Sequence, residues 1–173
     1  MKCSVFIATS VDGYIATKEG EVDWLDNCGN QDAELGGDAD MGFYSYMATV
    51  DCMIMGRKTM EKLASFNLTP EQWPYGDTKI FVLSNTLSKP PTNLTGKVEL
   101  ISAEPSALVA RLENEGFCHA YIDGGSTIRS FLGLQLIDEM TITLAPILLG
   151  GGISLFEGLH GRVNLSQVYA RTY

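Results

Sequence analysis

Two short stretches carry residue types suited to holding an anion. In one, Ala120, Tyr121 and Ile122 form an apolar, β-favouring run that Gly124 and Gly125 interrupt; Ser126 then opens a helically spaced pattern at Ile128, Phe131, Leu132 and Leu136. In the other, Cys52 to Met55 is apolar, Gly56 ends the run, and Arg57, Lys58 and Thr59 lead into Met60, Leu63 and Ala64. Both read as strand, glycine, helix. Glycine allows main-chain N–H groups to approach a ligand, and the unpaired amides and positive dipole end of a helix favour an anion. Taken alone, Gly124-Gly125 is equally a tight turn and Ser126 an ordinary N-cap. Two such corners at one end of one sheet would hold the two phosphates of a dinucleotide from opposite sides. Neither stretch follows G-x-G-x-x-G or G-x-x-x-x-G-K-[ST], which sets aside the standard Rossmann and P-loop readings.

The elements that must position these corners follow from periodicity. Lys2 to Ala8, Lys79 to Leu83, Val98 to Ile101, His119 to Ile122 and Thr141 to Ala145 read as strands, with a short apolar piece at Tyr14 to Ala16 and a last strand at Asn164 to Arg171. Helices are expected over Asp40 to Thr49, with Phe43, Tyr44 and Met47 on one side, and over Ser106 to Glu115, with Leu108, Val109 and Leu112 inward. Lys18 to Asp38 is polar and rich in Gly, Asn and Asp, and predicts a mobile loop whose large apolar pair is Trp24 and Leu25.

At 173 residues, 45% hydrophobic and 19% charged, the chain predicts one soluble globular domain over residues 1–173 with no need of a metal or disulfide. No signal peptide or membrane span is visible. The cysteines at 3, 28, 52 and 118 form no C-x-x-C pair or Cys/His cluster, and a reducing cytoplasm is the expected setting. A formal net charge of -9 argues against nucleic-acid and anionic-membrane partners, so an anionic ligand must be held locally, which draws attention to Arg57 and Lys58. His119 and His160 are isolated, no catalytic triad or metal-ligand spacing stands out, and the chemistry is expected to come from a cofactor.

Several motifs resemble a known family. Ser10, Asp12, Gly13, Ile15 and Ala16 fill S-x-D-G-x-I-A, the opening of the riboflavin-biosynthesis reductases (the RibD C-terminal domain type), which share the dihydrofolate reductase fold. The series from Ile137 to Phe156, I-D-E-M-x-I-x-x-x-P-x-L-L-G-G-G-x-x-L-F, is similar to the same family, whereas D-C-M-I-M-G-R-K-T resembles the V-I-M-G-R-x-T run of dihydrofolate reductases. The resemblance implies an α/β fold with a central, mixed but mostly parallel sheet of about eight strands flanked by helices, the C-terminal strands running antiparallel. It implies NADPH as cofactor, held by Gly56, Arg57, Lys58 and Thr59 at one corner and Gly124, Gly125, Ser126, Thr127 and Ile128 at the other. Ala8 and Ile15 would lie beside the nicotinamide, and Leu83, Ser84 and Asn85 would receive the adenosine side and its 2′-phosphate. A homodimer acting on a small-molecule substrate is also implied.

For the reacting end, Asp40 stands at the distance from Gly56 at which dihydrofolate reductases carry their pterin-binding acid, and Thr143 falls where that family has a threonine near the acid. Asp40 is also well placed as a helix N-cap. Trp24 either joins Tyr44 in a substrate pocket or pins its loop to the core. The motifs divide between a phosphoribosylaminopyrimidine and dihydrofolate, and a phosphorylated ribose would need a further cation, for which Arg129 and Lys18 are the nominations.

Overall fold

The computed structural model describes residues 1–29, 40–159 and 161–172. Six strands make the central sheet: β1 (Lys2–Ser10), β3 (Cys52–Gly56), β4 (Lys79–Leu83), β5 (Val98–Ile101), β6 (His119–Asp123) and β7 (Glu139–Ala145). Their order is β5-β4-β3-β6-β1-β7, and every neighbouring pair is parallel. Two short strands, β2 (Tyr14–Ala16) and β8 (Ile153–Ser154), pair antiparallel in a separate small sheet.

Helices cover both faces, which is why the inner strands are continuous apolar runs rather than alternating ones. On β3, Cys52 and Ile54 enter one core with Leu108 and Leu112 of α4 (Pro105–Asn114) and Ile128, Phe131 and Leu132 of α5 (Gly125–Gly133). Met53 and Met55 enter the other, with Met60 and Leu63 of α3 (Arg57–Ser65) and, partly buried, Phe43 and Met47 of α2 (Phe43–Met47). A fifth helix, α1 (Trp24–Asn27), lies within the stretch expected to be loop. Residues 30–38 of that stretch, with Asp38, and also His160, fall outside the described residues.

Connectivity places the corners. The chain leaves β3 through α3 toward β4, and leaves β6 through α5 past β1 toward β7, so adjacent strands β3 and β6 send their helices to opposite faces. That is a topological switch point, which opens a crevice beyond the carboxyl ends of the strands. The insertion of β1 between β6 and β7 is not a Rossmann order.

Several expectations need correction. The sheet has six strands rather than about eight, and β7 runs parallel to β1, because α5 returns the chain to the same end of the sheet; only β8 of the C-terminal strands is antiparallel, and its partner is β2. Asn164 to Arg171 forms no strand, and its exposed Leu165, Val168 and Tyr169 show why: β propensity builds a strand only where a neighbouring edge pairs with it. The helix expected from Asp40 shortens to Phe43–Met47, because Met41 and Gly42 take positive φ values of 50° and 87°.

Candidate functional site

The two glycine corners interlock. Met55 and Asp123 are register partners, so Gly56 and Gly124 lie side by side at the carboxyl ends of β3 and β6. A Cβ on Gly124 would stand 1.9 Å from Thr59 Oγ1, and one on Gly56 would stand 2.8 Å from Thr127 Oγ1. Each corner's threonine therefore occupies the space that the other corner's glycine leaves open. Gly124 is also at φ +89°, a region that glycine alone enters without strain. Neither α3 nor α5 has a side-chain cap, so first-turn N–H groups of both helices point into the crevice region. Ser126 is accordingly not an N-cap; Gly124 holds that position.

Charge is distributed unequally between the corners. Arg57 and Lys58 are exposed; Arg57 lies 3.7 Å from Glu61 one turn along α3, and Lys58 has no ion-pair partner among the described residues. Thr59 and Thr127 face the opposite corner, while Ser126 is exposed. Ile128 is fully buried in the core, and its N–H bonds the Gly124 carbonyl at 2.9 Å, which leaves it no free polar group for a ligand. Leu83 is the register partner of Gly56, which continues the row of strand ends along β4. There the Ser84 hydroxyl accepts the N–H groups of Thr86 and Leu87, and Asn85 Oδ1 accepts the Ser102 hydroxyl at 2.8 Å.

At the other end of the row, residues from distant parts of the chain meet. Asp12 accepts the Ser10 hydroxyl at 2.6 Å and the N–H groups of Leu149 and Gly150 at 3.1 and 2.7 Å, so the S-V-D-G turn and the triple-glycine segment are joined through one carboxylate. The Ser10 hydroxyl, with these amides, holds its pKa below the usual carboxylate value against the opposing effect of desolvation. A Cβ on Gly152 would meet the Ala16 carbonyl oxygen at 2.2 Å, which explains a glycine there. Ile15 packs on Gly125, its Cδ1 2.6 Å from where a Cβ would stand, and so β2 is fastened to the α5 corner. Ala8 is the register partner of Thr143 on β7.

Asp40 accepts the N–H groups of Tyr44 at 2.8 Å and Gly42 at 3.1 Å, which hold its carboxyl below the usual range. Gly42 rather than Asp40 holds the N-cap position of α2; Asp40 instead ties the turn that enters it, and no hydrogen bond joins it to Thr143 among the described residues. Tyr44 is 67% exposed, turned away from the face that Phe43 and Met47 bury. Trp24 is buried. Arg129 donates to the Ser154 carbonyl, whereas the Lys18 stem lies along Gly151 and its ammonium makes no hydrogen bond or ion pair among the described residues.

Asp123 is the group that motif reading passed over. It ends β6 at the switch point, and burial pushes its carboxyl up to about 6, against the opposing hydrogen bond from the Gly124 N–H at 2.8 Å. Tyr121, two residues before it, donates its phenol proton to the Phe6 carbonyl, and burial raises that phenol well above the ordinary value. A carboxyl tuned near neutrality beside a ligand crevice is suited to proton transfer. The signal was present as an acid closing an otherwise apolar strand directly before Gly-Gly.

Cys3 and Cys52 are buried thiols pushed up to about 11 and about 12 by desolvation, as befits small apolar residues. Among the described residues no group of His, Cys, Asp and Glu is arranged to hold a metal, and no helix is long and apolar enough to cross a membrane.

Comparisons with known proteins agree with this architecture. The chain is 35% identical over 165 residues to the uncharacterized protein YwjB of Bacillus subtilis (strain 168), covering 95% of this chain and 87% of that one. The structure of a putative riboflavin biosynthesis protein from Shewanella sp. PV-4 superposes with a TM-score of 0.83 at 44% identity, covering 95% of this chain and 88% of the other. Schistosoma mansoni dihydrofolate reductase shares the fold, with a TM-score of 0.55 at 19% identity over all of this chain and 91% of its own. The six-stranded sheet with its switch point between β3 and β6, the Asp12 tie between the two signature segments and a family model matching residues 2–173 together mean that this chain belongs to the RibD C-terminal domain family.

Proposed function

We propose that the protein is an NADPH-dependent reductase of the riboflavin-biosynthesis type, reducing a phosphoribosylaminopyrimidine such as 5-amino-6-(5-phosphoribosylamino)uracil. The observation that carries the reading is the pair of interlocked glycine corners, with two uncapped helix starts and the cations Arg57 and Lys58 beside one crevice. NADPH bound there would supply the hydride. The amides at the starts of α3 and α5 bind its phosphates, and the cations favour the form with the extra 2′-phosphate. Ile15 and the Asp12-tied loops wall the reacting end, and Asp123, mostly protonated below about pH 6, holds the proton that reduction of a C=N or C=O consumes.

Dihydrofolate is the second substrate reading. A pterin clamp needs both Asp40 oxygens turned to the ligand, and here each already accepts a main-chain N–H, which favours the pyrimidine. A homodimer is part of the proposal, supported by exposed Leu144 on the edge strand β7 and exposed Leu148 just past its end.

The test follows NADPH oxidation with the phosphoribosylaminopyrimidine and dihydrofolate separately, then repeats it with Asp40→Asn. Turnover of the pyrimidine that survives the substitution is expected. Turnover of dihydrofolate alone, collapsing in Asp40→Asn, would reverse the order of substrates, and turnover of neither would remove both substrate readings.

A further inference from the structure

Residues 161–172 are exposed throughout and join no helix or strand, yet they carry Val163, Leu165, Val168 and Tyr169, the last two 74% and 87% exposed. Large apolar side chains gathered on one exposed segment forgo the burial that stabilises the rest of the fold, and they mark an interaction surface.

A matching deficit lies at the edge of the sheet. β7 ends the strand order and is bonded to β1 alone, so the N–H and C=O groups of its outer edge face no strand among the described residues. On the side that carries α4 and α5, Met140 and Ile142 are only partly buried against the core, and Leu144 is 64% exposed.

Segment and edge fit one another. Antiparallel pairing that sets Leu165 against Leu144 continues, past one extra residue, to Val168 against Ile142, Ala170 against Met140 and Arg171 against Glu139. The extra residue is Gln167, which stands at φ +53°, the left-handed conformation that opens one class of β-bulge. Leu165, Val168 and Ala170 then share the face on which Met140 and Ile142 meet the core. Charge agrees: residues 161–172 hold Arg162 and Arg171 and no acid, and β7 is entered through Asp138 and Glu139.

The segment does not reach its own β7 in that direction. Arg162 and Val163 border a cavity with Gln135 and Ile137, so the chain departs from the amino end of β7. An antiparallel neighbour must enter beside Leu144 and Ala145, about 20 Å further along the strand, whereas the two steps from Val163 to Leu165 span only about 7 Å.

We propose that residues 161–172 form an exchanged arm: they cross to a second copy of this chain and pair antiparallel with the outer edge of its β7, while that copy's arm does the same in return. The exchange is isologous, adds one strand to each sheet and covers the apolar edge of both protomers. It deepens the homodimer of the proposed function and rests on that part of it, independently of the reductase chemistry.

Light scattering at micromolar concentration reads the oligomeric state. For the contact, deuterated chains carrying 13C-labelled valine and leucine methyls are mixed and refolded with chains carrying 13C-labelled isoleucine methyls. An NOE between Val168 and Ile142 in that mixture is inter-chain. A dimer with this NOE is expected. Leu165→Asp and Val168→Asp, each in the full chain, should weaken the dimer about tenfold or more while leaving the circular dichroism spectrum in place, since both positions are exposed within the single chain. A monomeric wild type would overturn the homodimer and the exchange together. A dimer without the NOE, unchanged in both aspartate variants, would keep the homodimer and overturn the arm. A Val168–Ile142 NOE that appears only when both labels are in one chain would return the arm to its own edge and likewise overturn the exchange. NADP⁺ titration of the same proteins decides the reductase reading separately, because it reads the α3 and α5 corners and not the arm.

Discussion

The two glycine corners share one local plan and differ in what surrounds it. The β3–α3 corner is cationic and open: Arg57 and Lys58 are exposed, and Gly56 has an ordinary φ of -90°. The β6–α5 corner is neutral and closed: Gly124 sits at φ +89°, Thr127 is buried, and Asp123 is desolvated immediately before it. A long-range positive charge gathers an anion, whereas a rigid, dehydrated corner fixes geometry and tunes a proton. On the proposed reading, division of these tasks between neighbouring strands would let an acidic protein bind a dinucleotide without placing the cations against the carboxyl whose pKa is raised.

The largest effect that would break this comparison is steric. Gly124→Ala must overcome both the positive φ and a Cβ 1.9 Å from Thr59 Oγ1, and is expected to destabilise by about 3 kcal/mol or more in urea unfolding. Gly56→Ala, with only the Thr127 hydroxyl at 2.8 Å to displace, should cost about 1 kcal/mol. Adding Thr59→Ala to Gly124→Ala should recover part of the loss, since it removes the clash but not the strain; simple additivity of the two changes would show that the corners do not interlock.

Next in size is the proton. Because the folded-state value of Asp123 is raised, its acid form is the one the fold favours: its contribution is fully present below the ordinary value of 3.8 and is lost as pH rises through about 6. Stability measured from pH 4 to 7 should therefore decline less in Asp123→Asn than in wild type. Reductase activity should fall above about pH 6 in wild type if Asp123 holds the proton, and an unchanged pH–rate profile in the asparagine variant would rule out that role.

The smallest effects belong to the open corner. Lys58→Ala is expected to weaken NADPH by about tenfold and NADH little, as titrations of both dinucleotides would report. Glu61→Gln, which frees Arg57 from its 3.7 Å pairing, should tighten NADPH by less than about twofold. Equal affinities for the two dinucleotides in wild type would mean that the cations do not read the 2′-phosphate.

Local pattern sufficed for much of the fold. β4 and β5 occupy the residues that periodicity marks, Lys79–Leu83 and Val98–Ile101, and both strand–glycine–helix corners form where the apolar runs break. These features depend on neighbours a few residues apart, so they are written in the chain. The motifs were enough, too, for family membership, because S-V-D-G-Y-I-A and P-I-L-L-G-G-G are long and specific.

What tertiary structure alone decided is which distant atoms meet. Nothing local tells that Thr59 fills the space over Gly124, that Asp12 joins segments separated by 137 positions in the chain, or that Asp40 spends both oxygens on its own helix start. The same holds for direction and pairing: β7 runs parallel to β1 because α5 carries the chain back across the sheet, and Asn164 to Arg171 has strand composition but pairs with neither edge of the sheet among the described residues. The pKa of Asp123 and the buried, unpaired indole nitrogen of Trp24 are likewise set by enclosure, which depends on every element packed around them and on no residue type by itself.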